Sequence, residues 1–318
     1  MNVIRYNWEN SEAHWVLLSK FVCQRNQEEF ISADIWNRVL DEQALHAIER
    51  FVDEGLIALV GLERMLDYKY PVNELKNMLK QYGLSVAGRK ADLINRLIFT
   101  DVSGMKNNVA GLKVYECTQA GKDLVEGHLF RKKEERILVE KQVEGFLKMR
   151  QFNDASLTVA AYEAKQVFSR GVGIDWKQYN AARDIETLNY IYKDKPRILA
   201  NLPYDKFEEL RKCTAMMMLW GTNTTDKWLS IDFETGLSFD ADTASRMLLF
   251  YALHKLDIEE YRKSGIVEMV EILTTSDSCN TCKKLAKKKY RLSEAPELPY
   301  EHCTHEMGCR CTIAPVIE

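Results

Sequence analysis

The sequence predicts a mainly α-helical protein built from several small parts. Apolar residues recur at intervals of three and four in most segments; near the N-terminus Trp15, Leu18 and Phe21 share one helical face. In the first half of the chain, strand-like runs are confined to residues 56–60 and 112–117. The hydrophobic share of 46% supplies a sizeable core, and 318 residues are enough for two or three domains.

Charge and apolar run length limit the compartments and partners that the chain suits. The net charge is −3, so any basic binding surface must be local. No run of about 18 apolar residues occurs, so we expect no transmembrane helix. The first residues carry early acids and no apolar stretch behind a basic start, unlike a signal peptide. We therefore expect a cytoplasmic protein with reduced thiols.

The N-terminal region combines short helical stripes with two strands that lie far apart in the sequence. The strand at residues 56–60 follows three short helices, and the strand at residues 112–117 is followed by Thr118 as the N-cap of a helix to about His128. This order resembles a winged-helix unit whose wing carries the intervening segment as an insertion. The alternative is a plain helical domain followed by an unrelated hairpin.

A basic pair of short helices lies inside that intervening segment. The first helix is predicted over residues 72–82, Gly83 ends it, and a second begins near Arg89. Five basic residues face two acidic ones, a local charge of +3. Gly88 lets the backbone approach a phosphate, and the free N–H groups of the second helix favour an anion. The candidate DNA-binding residues are Lys76, Lys80, Gly88, Arg89, Lys90 and Arg96.

Over Tyr70–Ile98, the order of apolar, basic and glycine residues resembles the sequence pattern of the SAP domain. The matching residues are Glu74-Leu75-Lys76, Leu79-Lys80, Gly83-Leu84, Gly88-Arg89-Lys90 and Leu93-Ile94-Asn95-Arg96-Leu97. The resemblance implies binding to duplex DNA, mainly through the backbone and often with a preference for AT-rich sequence. The alternative is an ordinary basic helical hairpin.

Residues 131–275 are predicted to be helical and indicate little about function. Within them, Asp232 and Glu234 resemble the first acidic motif of DEDD exonucleases. Those enzymes need further acidic motifs on a long α/β fold, and the segment after Gly236 is helical or cysteine-rich. We therefore expect both acids to lie in a solvated loop. No catalytic residue is assigned, and a role without catalysis is favoured.

Five of the eight cysteines crowd into the tail. A C-x-x-C pair followed about 20 residues later by more cysteines is the spacing of a structural zinc site, with tetrahedral thiolate ligands. The candidate ligands are Cys279, Cys282, Cys303, Cys309 and Cys311, one more than zinc needs. Either Cys309 or Cys311 is the extra thiol, and His302 and His305 are spare candidates. A redox pair, a cysteine nucleophile and simple packing are the alternatives.

The tail is also similar to the C-terminal motif of phage head morphogenesis proteins of the Mu F-like and SPP1 minor head type. The matching residues are Asp277, Cys279, Cys282, Pro296, Pro299, Cys309-Arg310-Cys311 and Pro315. Cys303 stands where a histidine is often found, and the usual His-Pro pair is missing. The resemblance implies a phage or mobile-element setting.

Together these patterns predict a DNA-binding protein of bacterial or phage origin with a structural zinc site. The alternatives are a phage head morphogenesis or structural protein, and a DNA-processing nuclease or its accessory subunit. The expected partners are double-stranded DNA and either a second copy of the chain or a phage or mobile-element protein. No membrane partner is expected. The predicted division is 1–70 and 101–130 for the winged-helix-like region, 71–100 for the SAP-like insertion, 131–275 for the helical domain and 276–318 for the zinc-binding module.

Overall fold

The computed structural model describes residues 7–171 and 173–316, which form two compact units that divide between residues 135 and 136. The chain is 58% helical, so the prediction of a mainly α protein is confirmed. Short 3-10 helices occur at Trp8–Asn10, Trp176–Gln178, Arg197–Leu199 and Leu292–Glu294. Within the described ranges, no helix is both long enough and apolar enough to cross a membrane.

The first unit begins with four short helices and contains a three-stranded sheet. The helices are α1 (Glu12–Lys20), α2 (Glu28–Ile31), α3 (Asp34–Leu40) and α4 (Ala44–Asp53). The strands are β1 (Arg25–Asn26), β2 (Ile57–Leu59) and β3 (Val114–Cys117), antiparallel in the order β1-β3-β2. The two strands that the sequence predicts therefore pair directly, with Ile57 opposite Cys117 and Leu59 opposite Tyr115.

Four helices lie between β2 and β3 in the sequence and share a core of their own. They are α5 (Leu62–Lys69), α6 (Val72–Gln81), α7 (Lys90–Thr100) and α8 (Val102–Asn108). The buried side chains of this core are Leu66, Leu75, Leu79, Leu93, Ile94, Leu97, Met105 and Val109. The sequence predicted only the two middle helices. The flanking helices close a core that two short helices alone leave small.

A long helix, α9 (Gln119–Lys148), follows β3. The sequence predicted that this helix ends near His128, and that prediction is wrong. No proline interrupts residues 119–148, and the glycines at 127 and 145 cost a helix interior only about 1 kcal/mol each, so the helix continues through both. The predicted domain boundary at residue 130 therefore falls inside a helix.

The second unit packs four helices and a small sheet around one core. The helices are α10 (Phe152–Glu163), α11 (Ala182–Lys193), α12 (Tyr204–Trp220) and α13 (Ala241–Ser264), followed by the short α14 (Asn280–Leu285). The strands are β4 (Met269–Leu273), β5 (Lys289–Arg291) and β6 (Thr312–Val316), antiparallel in the order β5-β4-β6. β4 lies before the predicted boundary at residue 276, yet it pairs with β5 and β6 of the cysteine-rich tail. The tail also shares its hydrophobic core with the helices.

The start of α9 crosses the start of β2 so closely that only glycine fits at residue 121. A Cβ atom at Gly121 would lie 2.1 Å from the carbonyl oxygen of Leu56, a backbone atom that cannot move aside alone. We expect Gly121→Ala to lower the free energy of unfolding by more than about 1 kcal/mol, because the two elements must separate. Urea denaturation measures the change.

Gly127→Ala in the same helix is the matched control. Among the described residues, a Cβ atom at Gly127 would meet only the guanidinium of Arg131, at 3.8 Å. This variant should be more stable than the wild type by about 0.5–1 kcal/mol, because alanine is the better helix former. Equal urea midpoints for the two variants would rule out the close crossing.

Candidate nucleic-acid interface and cysteine cluster

The helix-extended-helix segment is formed by α6, a link at residues 82–89 and α7. Leu75 and Leu79 on α6 are fully buried, as are Leu93 and Leu97 on α7. These side chains recur at helical spacing, so each helix turns one apolar stripe inward and its basic residues outward. The two predicted helices are confirmed to within one residue at each helix start.

The link between the two helices is held by the guanidinium of Arg96. One of its nitrogens donates to the carbonyl oxygens of Ser85, at 2.5 Å, and Ala87, at 3.2 Å. Because this side chain caps backbone carbonyls, its first role is to shape the link. The sequence predicted Arg96 as a DNA contact, and could not show that one of its nitrogens already has acceptors within the segment.

The start of α7 requires a glycine at residue 88 for two reasons. Gly88 has φ +120°, a conformation that L side chains rarely adopt, and a Cβ atom there would lie 3.0 Å from a carboxylate oxygen of Asp92. That same oxygen accepts from the backbone N–H of Arg89 at 2.8 Å. The capped turn leaves the side chain of Arg89 exposed.

The remaining cations of the segment differ in their partners. Lys90 forms an ion pair with Asp67 of α5, with an Nζ–Oδ1 distance of 3.0 Å, and so ties α7 to the preceding helix. Lys80 and Arg89 are exposed and Lys76 is half-buried. Among the residues that the structure describes, none of these three has an ion-pair partner. They are the cations that are left to bind an external anion.

The five cysteines of the tail come together in one cluster. The thiols of Cys279, Cys282 and Cys303 lie within 4.8 Å of one another, and so do those of Cys282, Cys309 and Cys311. Cys282 belongs to both groups. The sulfur atoms of Cys279 and Cys303 are 3.9 Å apart, and those of Cys282 and Cys309 are 4.0 Å apart. The clustered thiols could therefore hold a metal ion.

Backbone N–H groups point at the sulfur atoms of this cluster. Burial by itself would raise the pKa of the Cys279 thiol, but hydrogen bonds from the backbone N–H groups of Cys282 and Thr304 outweigh it and lower the pKa to about 5. The adjacent thiol of Cys309, together with burial, raises the pKa of Cys303. A site for a negatively charged sulfur ligand requires amide donors around the thiolate.

The loop that carries Cys309 and Cys311 is fixed against α13. Gly308, at φ +74°, lies so close to this helix that a Cβ atom would be 2.8 Å from the sulfur of Met247. The Nε2 atom of His254 lies 3.0 Å from the carbonyl oxygen of Cys311 and must carry the proton to donate to it. Burial lowers the pKa of His254, which favours that neutral form.

The two histidines that the sequence offered as spare ligands do not join the sulfur groups. His302 is exposed. His305 lies beside the cluster, where its Nδ1 accepts from the backbone N–H of Met307 at 3.0 Å and its Nε2 lies 3.1 Å from a guanidinium nitrogen of Arg310. Arg310 also pairs with Asp277, and this hydrogen bond holds the pKa of that carboxyl well below its usual range. Both histidine rings therefore stand outside the sulfur groups that the structure brings together.

The acidic pair that resembled an exonuclease motif lies in a loop between α12 and α13. Asp232 and Glu234 are both exposed there, as the sequence predicted. Neither joins the groups of potential metal ligands found among the described residues.

The comparisons with known proteins bear on one of these two sites. Residues 69–98 match the family model described as SAP domain. No curated protein and no solved structure matches the chain. The match covers the helix-extended-helix segment and does not reach the cysteine-rich tail. Residues 69–98 of this chain are therefore a SAP domain, as their sequence predicted.

Proposed function

We propose that this chain binds the backbone of duplex DNA through its SAP domain. A SAP domain supports nucleic-acid binding, and one observation supports the choice of contacts: Lys76, Lys80 and Arg89 have no ion-pair partner among the described residues. Lys76 and Lys80 are one helical turn apart on α6 and so lie on the same face. Each cation that neutralises a phosphate releases condensed counterions from the duplex, which favours binding.

The six candidate residues divide into two roles under this proposal. Lys76, Lys80 and Arg89 contact phosphates directly. Gly88 and Arg96 shape the link, and Lys90 joins α7 to α5, so these residues act through the position of the backbone. Contacts of this kind position a protein on DNA without reading its sequence. Binding should therefore tolerate many sequences.

We also propose that the rest of the first unit is a winged helix. The pairing of β2 with β3 supports this reading, because those strands would form the wing and the SAP domain with its flanking helices would be an insertion at its tip. The unit would then comprise residues 1–70 and 101–130 around the insertion. It would offer a second surface for the duplex.

We infer that the cysteine cluster holds one structural zinc ion. A tetrahedral site with zinc–sulfur bonds of 2.3 Å places sulfur atoms about 3.8 Å apart. The separations of 3.9 Å and 4.0 Å in the cluster fit that geometry. Cys279, Cys282 and Cys303 would be ligands together with Cys309 or Cys311. Bound zinc would cross-link the segments that carry these thiols. All eight cysteines lie in the described ranges as free thiols, which suits the reducing cytoplasm.

A second candidate function is assembly into a phage head, and the tail motif favours it. Asp277 and Arg310, two positions of that motif, form an ion pair beside the cysteine cluster. On this reading the SAP domain would touch packaged DNA, and the protein would come from a phage or its bacterial host. Light scattering tests it: a stable particle or ring would support assembly, and a monomer at high concentration would exclude it.

The SAP contacts are tested by Lys80→Gln/Arg89→Gln. Each lost phosphate contact should reduce the slope of log K against log salt by about 0.9, so we expect a slope shallower by about 2 and weaker binding at every salt concentration. Fluorescence anisotropy with duplex DNA over a salt series measures both. Both residues are exposed, so the thermal midpoint should not change.

Lys133→Gln/Lys141→Gln is the matched control, because it removes the same charge from two exposed positions on α9. It should leave the salt slope unchanged. Equal losses in the two double variants would mean that net charge, and not the SAP domain, governs binding. No loss in either would move the contact away from the SAP domain.

The zinc site is tested by replacing single thiols with serine. Cys282 belongs to both sulfur groups, so Cys282→Ser should abolish metal binding and lower the thermal midpoint. Mass spectrometry of the metal content gives the stoichiometry, which should be one zinc per wild-type chain. The exposed Cys23 provides the control, since Cys23→Ser should retain the metal.

A comparison of Cys309→Ser with Cys311→Ser identifies the fourth ligand. The variant that loses zinc has lost a ligand, and the other should keep a full ion. Full zinc content in Cys282→Ser, or none in the wild type after purification with zinc, would contradict the assignment.

A further inference from the structure

The segment that follows the first two cysteines carries a dense cluster of cations. Between Ser278 and Ser293 there are six basic residues and no acidic one, in a chain whose net charge is −3. They are Lys283, Lys284, Lys287, Lys288, Lys289 and Arg291. All six side chains are exposed. We call these residues the basic ridge.

The basic ridge follows an ordered backbone. It begins on α14, continues through the turn after Leu285 and ends on β5, which is an edge strand of its sheet. Lys289 and Arg291 point to one face of β5 because side chains alternate along a strand, while Tyr290 is half-buried on the other. The cations therefore project outward from a fixed scaffold.

The ridge is not neutralised by its own unit. Within the described part of the chain, none of the six side chains forms an ion pair. Glu271 lies opposite Lys289 in the strand register, yet the two do not come within ion-pair distance. In the SAP domain, by contrast, Lys90 is already paired with Asp67. Six cations without partners repel one another, and an external polyanion would relieve that repulsion.

The ridge is attached to the cysteine cluster. Cys282 is the buried residue of α14, and its thiol belongs to both sulfur groups. Leu285 and Tyr290, which bracket the turn, pack against the core of the second unit. The hydroxyl of Tyr290 donates to the carbonyl of Leu285 at 3.2 Å, which closes the turn. The position of the lysines thus depends on the segment that the thiols hold.

We propose that the basic ridge is a second phosphate-binding surface of this chain, and that it contacts the backbone of duplex DNA. The choice of DNA rests on the proposed function, because duplex DNA is the polyanion that the SAP domain is proposed to bind. Lysine is suited to this role, since its flexible point charge follows a phosphate backbone without reading bases.

The test compares three variants of the full-length protein by fluorescence anisotropy on duplex DNA over a salt series. The ridge variant is Lys284→Gln/Lys287→Gln/Lys288→Gln. Its control, Lys141→Gln/Lys177→Gln/Lys263→Gln, removes the same charge from three exposed and scattered positions of the same unit. The SAP variant is Lys80→Gln/Arg89→Gln. Circular dichroism and thermal midpoints check that each variant remains folded.

The ridge variant should bind more weakly than the wild type, with a salt slope shallower by about 2 to 3, while its control keeps the wild-type slope. If the ridge variant and the wild type have equal salt slopes for duplex DNA, the second surface is overturned. This holds even if the ridge variant binds vesicles that contain an anionic lipid more weakly than the wild type does. Equal changes in the ridge variant and its control also overturn it, because net charge then explains both.

The SAP variant separates this proposal from the proposed function. A loss in the SAP variant alone leaves the SAP contact standing and sinks the ridge. A loss in the ridge variant alone supports the ridge and removes the SAP domain as the DNA contact. Losses in both, with a larger loss when the variants are combined, support two DNA-binding surfaces in the chain.

Discussion

The antiparallel pairing of β2 with β3 is the constraint on which the first unit depends. It brings two segments that are distant in sequence into register, and Val60 extends the ladder by donating to the carbonyl of Val114 at 3.0 Å. The segment between β2 and β3 must therefore begin and end at neighbouring points of the sheet. An insertion of this kind can carry its own core, and α5 to α8 do so. The SAP domain is therefore a separately packed element on a fixed base.

The second unit fixes its tail against α13 through close backbone contacts and a shared core. Gly308 and the backbone N–H of Cys309 lie against Met247, and His254 donates to the carbonyl of Cys311. Leu298 and Ile313 of the tail are buried in the core of the unit. Cys282 is the buried residue of α14, and α14 begins the basic ridge. The proposed SAP contacts lie on or beside α6 and α7, and the basic ridge begins on α14. A helix shorter than about 12 residues is marginal by itself, so other parts of the fold set the positions of these helices.

The basic residues of the SAP domain differ in the partners that they have within the chain. Lys90 pairs with Asp67 and one guanidinium nitrogen of Arg96 donates to backbone carbonyls, whereas Lys80 and Arg89 have no such partner among the described residues. The SAP sequence motif does not distinguish these four cations. Their difference arises from acceptors up to 23 residues away in sequence, which periodicity and composition do not locate.

Local chemistry in the chain was enough to predict the helical class, the SAP domain, the positions of the strands β2 and β3 and the cysteines of the cluster, because residue type and spacing within each segment indicate them. The continuation of α9 past His128, the flanking helices of the SAP core and the shared core of the tail escaped prediction. So did the local partners of Lys90 and Arg96. These features follow from contacts between distant segments, and such contacts exist only once the chain has packed.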